Sequence, residues 1–285
     1  MLFPTQKVFY MESINKRLIV LIDFSEYSNT LLRYAYSWCG RINARLLLVH
    51  QTTVLAPGMA GKEDKEELAV AANEEAVKKM RVLADYALNT EEGIEYYASE
   101  KDMETILDKL LKESFSQLVL LGLKGTGILK KLFIGSVAVQ VIESIENVAV
   151  AIPKNIGQFS PEKIYVAISE KYPLNDTRFR EFLEFVKSET KKVVFISLAG
   201  QNDDIIEVRS YLQDMSTRYA DIVQVDYDVY QGDNVYSNLK NIISNKSNEL
   251  LVVQKGSQLY SNQLFKKFLI NELVYEGDTP LVVLP

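Results

Sequence analysis

Residues 117–142 read QLVLLGLKGTGILKKLFIGSVAVQVI, and this stretch decides the fold. Residues 118–121 form a continuous apolar run, which is typical of a strand buried on both faces of a parallel sheet. From about residue 134 to 146, apolar residues recur at helical spacing. A strand that leads through a loop into a helix predicts a βαβ unit with a right-handed crossover.

The same alternation of strand and helix extends to both ends of the chain. Strands are predicted at residues 18–23, 44–50, 93–98, 117–122 and 148–152, and again at 163–168, 192–198, 222–229, 249–253 and 280–284. Helices are predicted between them, the first from Ser25 as N-cap to Gly40 as its end, and the others at 66–88, 106–111, 134–146, 178–186, 206–219, 235–243 and 264–274. This pattern predicts a parallel sheet covered by helices on both sides.

An internal duplication is the strongest feature of the organisation. Both halves show the same order of elements, and each ends in a Val-rich strand followed by a proline, Pro153 or Pro285. The expected fold class is α/β, with two tandem αβα sandwich domains that each contain a five-stranded parallel sheet. The length of 285 residues agrees with two domains. The predicted boundaries are a tail at 1–15, a first domain at 16–153, a linker at 154–161 and a second domain at 162–285.

Composition excludes several classes of function. The net charge of -6 gives no general attraction to nucleic acid or anionic lipid, so neither a nucleic-acid partner nor a membrane partner is expected. No apolar run reaches the roughly 18 residues of a membrane helix, and the first ten residues contain no predicted secretory signal. A single cysteine, Cys39, excludes an intrachain disulfide and favours the cytoplasm. With one histidine, His50, a zinc site of His and Cys ligands is excluded as well.

The glycines that follow residue 121 suit an anion. Gly122 and Gly125 would let the backbone turn tightly and approach a ligand closely. Gly135 and Ser136 fall at the start of the next helix, where free N–H groups and a hydroxyl can bind phosphate. Residues 114–142 contain no acidic side chain but include three lysines. Since ligands of open parallel sheets bind at the carboxyl ends of the strands, this loop is the predicted nucleotide site.

The glycine spacing resembles that of a known family. Gly122-x2-Gly125-x9-Gly135-Ser136 is similar to the nucleotide-binding pattern of universal stress proteins of the ATP-binding type. Residues 20–26, VLIDFSE, resemble the first strand and acidic turn of that family, and residues 47–50, LLVH, resemble its second strand. The resemblance covers about residues 16–153, and the second half resembles a diverged copy. The pattern is neither a Walker motif nor a dinucleotide fingerprint.

The resemblance implies a Rossmann-like, adenine nucleotide alpha hydrolase-like fold that binds ATP, with or without Mg²⁺ on the phosphates. Asp23, with Ile22 beside it, would contact the ribose or the adenine, and Gln51 would line the adenine pocket. Leu121 and Gly122 would present backbone to the adenosine. The phosphates would be held by Lys124, Gly125, Gly135, Ser136 and Val137.

Some positions depart from the family pattern. Gln51 stands where an apolar residue is often found, and Ala138 where a Thr or Ser often donates to a phosphate, a loss of about 1 kcal/mol. In the second half, Ser169 takes the place of Asp23, and only Gly256 follows the fourth strand closely. The second half is therefore expected to bind no nucleotide in this manner and to be structural or to face a partner.

Each of these residues also has a simpler interpretation. The glycines could serve ordinary turns and caps, and Asp23 could cap the following helix. His50 ends a buried strand, so a packed, hydrogen-bonded histidine is favoured over a catalytic base. Cys39 lies on an apolar helical face, so a core position is favoured over a redox switch.

The sequence thus favours a stress-response regulatory protein that binds ATP in its first half with little or no turnover, because no in-line base or arginine finger is found. Two alternatives stay open: an interaction scaffold in which the glycine loop is a relic, and an ATP-consuming transferase whose catalytic group is not recognised. The halves are expected to pack through a pseudo-two-fold interface that imitates the dimer of the family, with the strands at 148–152 and 281–284 as candidates for the contact. A homodimer of the whole chain also stays open.

Overall fold

The computed structural model describes residues 15–55, 61–122, 136–199, 204–231, 248–257 and 278–285. The strands are β1 (Lys16–Leu21), β2 (Arg45–Gln51), β3 (Ile94–Ser99), β4 (Ser116–Gly122), β5 (Ala149–Ile152), β6 (Lys163–Ala167), β7 (Lys192–Ala199), β8 (Gln224–Gln231), β9 (Glu249–Gln254) and β10 (Leu281–Leu284). The helices are α1 (Ser28–Ile42), α2 (Lys62–Leu88), α3 (Met103–Leu111), α4 (Ser136–Ser144), α5 (Asp176–Leu183) and α6 (Ile205–Tyr219). The helices predicted at 235–243 and 264–274 lie outside the described residues.

The strands form one sheet in the order β3-β2-β1-β4-β5-β10-β9-β6-β7-β8. All neighbours within each half are parallel, with Leu18 opposite both Leu46 and Leu118, as the apolar runs predict. The α/β fold class and the repeated strand order are confirmed.

The two five-stranded sheets are joined rather than separate. Strands β5 and β10 pair antiparallel, with Val282 opposite Val150. Both strands are completely buried, and each would otherwise be an unpaired edge of its own half. Pairing these two edges produces a single ten-stranded sheet.

The helices cover the sheet from both faces. Helices α1, α2, α5 and α6 pack on the face that contains Leu18 and Val20. Helices α3 and α4 pack on the opposite face, against Ile19 and Val119. Neighbouring residues of β1 therefore belong to different clusters, which is why its sequence is apolar without alternation.

The segment at 154–161 is packed against both halves. Phe159 is completely buried and stacks on Trp38 of α1, with ring centroids 4.2 Å apart. The Trp38 indole N–H donates to the carbonyl oxygen of Phe185, just beyond α5, at 2.8 Å. The predicted linker thus fills the junction between the halves.

Both predicted ends of α1 are wrong. The helix begins at Ser28, and its N-cap is Tyr27 rather than Ser25. Gly40 lies inside the helix, which runs to Ile42 and is closed by Asn43 in the left-handed conformation (φ 51°). An asparagine tolerates this conformation, and its N–H donates to the Cys39 carbonyl.

Helix α2 begins four residues before its predicted start at residue 66, because the Gly61 N–H donates to the Asp64 carboxylate at 3.0 Å and fixes the first turn. Within the described ranges, no helix is long and apolar enough to cross a membrane.

Candidate functional site

The candidate site lies between the carboxyl ends of β1 and β4. These strands are neighbours, with Leu21 opposite Leu121. Strand β1 leads to α1 on one face of the sheet, whereas β4 leads to α4 on the other. The connections diverge here, and such a switch point leaves a crevice in which open parallel sheets bind ligands.

The loop after β1 is held by β2. The Ile22 N–H donates to the Val49 carbonyl at 2.8 Å, and His50 Nδ1 lies 2.7 Å from the Ile22 carbonyl oxygen. Since a carbonyl oxygen only accepts, Nδ1 carries the proton in this contact. Phe24 adopts a left-handed conformation (φ 56°), and its ring centroid lies 4.5 Å from that of His50. His50 is thus a packed, hydrogen-bonded residue that shapes the loop.

Asp23 lies on the exposed side of this loop. Its Oδ1 atom accepts from the Ser25 N–H at 2.9 Å and from the Ser28 hydroxyl at 3.1 Å. Among the described residues, nothing donates to Oδ2. The carboxylate therefore fixes the turn before α1 with one oxygen, and the second oxygen of this exposed residue could accept from a ribose hydroxyl.

Gly122 is the last residue of β4 and pairs with Ile152. Its φ is not positive, so the tight turn expected at this glycine is wrong: the residue simply continues the strand. A Cβ atom built here would meet Leu31 Cδ2 at 3.9 Å, an ordinary contact. A larger residue here would place its side chain beside Leu31, so the glycine keeps its own side chain out of this part of the crevice.

The structure describes only some of the residues that are proposed to bind the phosphates. Lys124, Gly125 and Gly135 lie outside the described residues. Ser136 and Val137 open α4 at the carboxyl edge of the sheet, and the description covers their backbone alone. The first amides of α4 have no acceptor within their own helix, as in any α-helix, and so face the same edge as Asp23.

Gln51 ends β2 and is half-buried, opposite Ser99 of β3. Beside it lies a polar chain that the sequence did not reveal. The buried Thr52 hydroxyl donates to Asn73 Oδ1 at 2.6 Å, and Asn73 Nδ2 donates to Glu100 Oε2 at 3.0 Å. The hydrogen bond from Asn73 lowers the pKa of the Glu100 carboxyl. These residues are 21 and 27 positions apart, so no local pattern groups them.

The equivalent crevice of the second half is filled. The Ile168 N–H donates to the Ile196 carbonyl as Ile22 does to Val49, and Gln254 pairs with Leu284 as Gly122 pairs with Ile152. Gln254 therefore occupies the position of Gly122.

The side chain of Gln254 spans that crevice. Its Oε1 accepts from the Asn175 N–H at 2.5 Å, and its Nε2 donates to the Pro173 carbonyl at 3.1 Å. Sequence reasoning missed this residue, although the prolines that end the two halves give the register needed to find it.

Metal and thiol chemistry find little support in the described ranges. No three His, Cys, Asp or Glu side chains come together there as metal ligands. Cys39 is buried, and burial raises the pKa of its thiol to about 12, so it stays protonated at neutral pH. This agrees with a core position for Cys39.

Comparison with known proteins agrees with this geometry. The model of the universal stress protein family matches residues 15–151. No curated protein matches the chain.

Solved structures show the same fold. A universal stress protein from Archaeoglobus fulgidus DSM 4304 is similar over 95% of this chain and 98% of its own, at 16% identity and a TM-score of 0.64. A functionally unknown protein from Pseudomonas aeruginosa PAO1 covers 95% of this chain and 92% of its own, at 12% identity and a TM-score of 0.56. A universal stress protein in complex with cAMP covers 50% of this chain and 100% of its own at 19% identity, but its TM-score of 0.33 is too low to support an inference. Residues 15–151, just under half of the chain, are therefore a universal stress protein domain.

Proposed function

We propose that the chain binds ATP in the crevice between β1 and β4 and acts as a regulatory protein with little or no turnover. The observation that carries the proposal is the contrast between Gly122 and Gln254. Gly122 puts no side chain into its crevice, whereas Gln254 at the equivalent strand end closes the other crevice with a hydrogen-bonded side chain. The Gly-Ser pair of the first half, at residues 135–136, lies at the start of α4, whereas the pair of the second half, at residues 256–257, comes directly after the strand end.

The chemistry around the open crevice suits an adenine nucleotide. The amides at the start of α4 and the lysine-containing, acid-free window of residues 114–142 favour the phosphates. Asp23 follows β1 at the same edge of the sheet, and its carboxylate suits a ribose hydroxyl. In this proposal Ile22, Gln51 and Leu121, at the ends of neighbouring strands, border the adenosine. In this proposal Lys124, Gly125, Gly135, Ser136 and Val137 hold the phosphates. Any Mg²⁺ would be bound mainly by the phosphates, with the protein adding few ligands.

We further propose that the second half, residues 162–285, is a diverged copy of the same domain that binds no nucleotide. Its antiparallel β5–β10 contact with the first half would then stand in for the contact between two subunits of a dimer. We propose the cytoplasm as the compartment, since a chain with one cysteine forms no intrachain disulfide and needs no oxidising environment.

A scaffold without nucleotide is the second candidate. It is favoured by Asp23 Oδ1, whose two hydrogen bonds give the residue a structural role in the turn before α1, and by Gly122, whose strand conformation any residue could adopt. Nucleotide content separates the two candidates: ATP retained on gently purified protein supports the first, and its absence together with no thermal shift on adding ATP supports the second.

A sharper test replaces Gly122 with glutamine, the residue at the equivalent position of the second half. Gly122→Gln is expected to weaken ATP binding at least tenfold in calorimetric titration of the full chain, because the new side chain occupies the space beside Leu31. Gly40→Gln is the matched control, since a Cβ at Gly40 has no neighbour within 4 Å. Equal affinity in wild type and Gly122→Gln would refute this location of the site.

A further inference from the structure

Helix α4 lacks the charge that a helix C-terminus favours. The last turns of α1, α3, α5 and α6 carry Arg41, Lys109, Arg180 and Arg218, respectively, whereas that of α2 carries no basic residue. The last turn of α4 carries no basic residue, and two acidic side chains, Glu143 and Glu146, lie at this end. Because a helix C-terminus is partially negative, acids are unfavourable there.

The second half supplies the missing cations. Lys255 Nζ donates to the Ile145 carbonyl oxygen at 2.5 Å and lies 3.3 Å from the Glu143 carbonyl oxygen. Arg178 Nη2 donates to the Glu146 carbonyl oxygen at 3.0 Å. Both cations are separated from α4 by long stretches of sequence, so these contacts depend on how the halves pack.

Lys255 is held in place by its own loop. Its N–H donates to the Leu284 carbonyl at 2.9 Å. Gly256 adopts a left-handed conformation (φ 75°), and the Ser257 hydroxyl donates to the Gln254 carbonyl at 2.7 Å. This is the loop that follows β9, the counterpart of the glycine loop after β4. In the second half the strand end is closed by Gln254, and the next residue contacts α4 instead of a ligand.

The antiparallel junction explains why this loop reaches α4. Since β5 and β10 run in opposite directions, the carboxyl edge of the second half lies at the amino edge of the first. Helix α4 has nine residues, about 13 Å at 1.5 Å each, and runs from one edge to the other. Its N-terminus thus faces the proposed phosphates and its C-terminus faces Lys255.

The C-terminal end of α4 is packed on one side, where Val141 and Ile142 are buried in the core. The end borders an open cavity of about 460 Å³, lined in part by Ser144, Glu146 and Arg178. The carbonyl contacts of Lys255 and Arg178 therefore restrain a helix end that borders empty space.

We propose that the second half sets the nucleotide affinity of the first by holding the C-terminus of α4 through Lys255 and Arg178, which act as positioning residues; this inference rests on the proposed ATP site. When either Lys255 or Arg178 is replaced, α4 shifts relative to β4, and the amides of its first turn lose their hydrogen bonds to the phosphates. The coupling is reciprocal, so bound ATP also stabilises the loop that carries Lys255.

The test measures ATP binding to the full chain by titration calorimetry. Lys255→Met is expected to weaken binding roughly fivefold, the lower end of typical coupling between sites. Lys255→Arg keeps the charge and the donors and should restore most of the affinity. Lys191→Met is the matched control, because Lys191 is 72% exposed and pairs with Glu162 away from α4. Arg178→Met is a second, independent variant in case Lys255→Met folds poorly.

Hydrogen exchange supplies a readout that a purely structural lysine would not change. Saturating ATP should slow amide exchange at residues 254–257 equally in the wild type and in the Lys191→Met control. This slowing should be lost in Arg178→Met. Wild-type protein that binds no ATP overturns the proposed function and this inference with it. Wild-type binding that is unchanged in both Lys255→Met and Arg178→Met overturns the inference alone.

Discussion

At the scale of single residues, Asp23 combines a structural contact with a proposed binding contact, and two substitutions separate them. Asp23→Ala removes the acceptor of the Ser25 N–H and the Ser28 hydroxyl, so we expect the free energy of unfolding to fall by about 1 kcal/mol. Asp23→Asn keeps a carbonyl oxygen for both donors and should stay within a few tenths of a kcal/mol of wild type. Urea unfolding measures the difference.

The same two variants examine the ligand role. If the free oxygen of Asp23 accepts from the ribose, both substitutions weaken ATP binding, although Asp23→Asn leaves stability nearly unchanged. A result in which Asp23→Asn binds ATP like wild type would show that Asp23 only stabilises the turn before α1.

At the scale of elements, α2 and β3 are connected through Asn73 and Glu100. The Asn73 amide stabilises the ionised carboxylate and lowers the pKa of Glu100. A lowered pKa in the folded state contributes stability above the ordinary glutamate pKa of about 4.3, and this contribution is lost as the pH falls through the lowered value. In Asn73→Ala we expect the pKa of Glu100 to move up toward its ordinary value.

Side-chain carboxyl chemical shifts in an NMR pH titration provide the measurement. Asp102 serves as an internal control, because the pKa of its carboxyl is lowered by the Thr105 backbone N–H and should not respond to Asn73→Ala. An unchanged Glu100 pKa would mean that Asn73 does not contact it in solution.

The elements also show what sequence reasoning could and could not reach. Strands β1 and β4 were predicted to within two residues, because a strand buried on both faces is a continuous apolar run. The ends of α1 were not predicted correctly. They depend on the hydrogen bond from the Ser25 N–H to the Asp23 carboxylate and on the left-handed conformation of Asn43. Gln254 escaped notice because its partners, Pro173 and Asn175, come from a segment about 80 positions away. Local patterns predict elements, whereas the closure of a crevice depends on contacts between them.

At the scale of the whole molecule, the halves share one sheet and one core. The hydrophobic cluster on the α1 face includes Leu18 and Trp38 from the first half, Phe159 between the halves and Phe179 from the second half. Since no boundary divides this cluster, damage at the junction should destabilise both halves together.

Phe159→Ala tests this continuity. It removes a completely buried ring stacked on Trp38, so we expect the free energy of unfolding to fall by about 3–5 kcal/mol. Both halves should unfold in a single transition, because β5 and β10 remain paired until the junction opens. Val82→Ala, at a side chain that is 70% exposed, is the control and should stay within about 0.5 kcal/mol of wild type. Calorimetry together with Trp38 fluorescence follows the transition. Two separate transitions in the wild type would contradict a shared core, and a loss below about 1 kcal/mol for Phe159→Ala would show that the junction contributes little to stability.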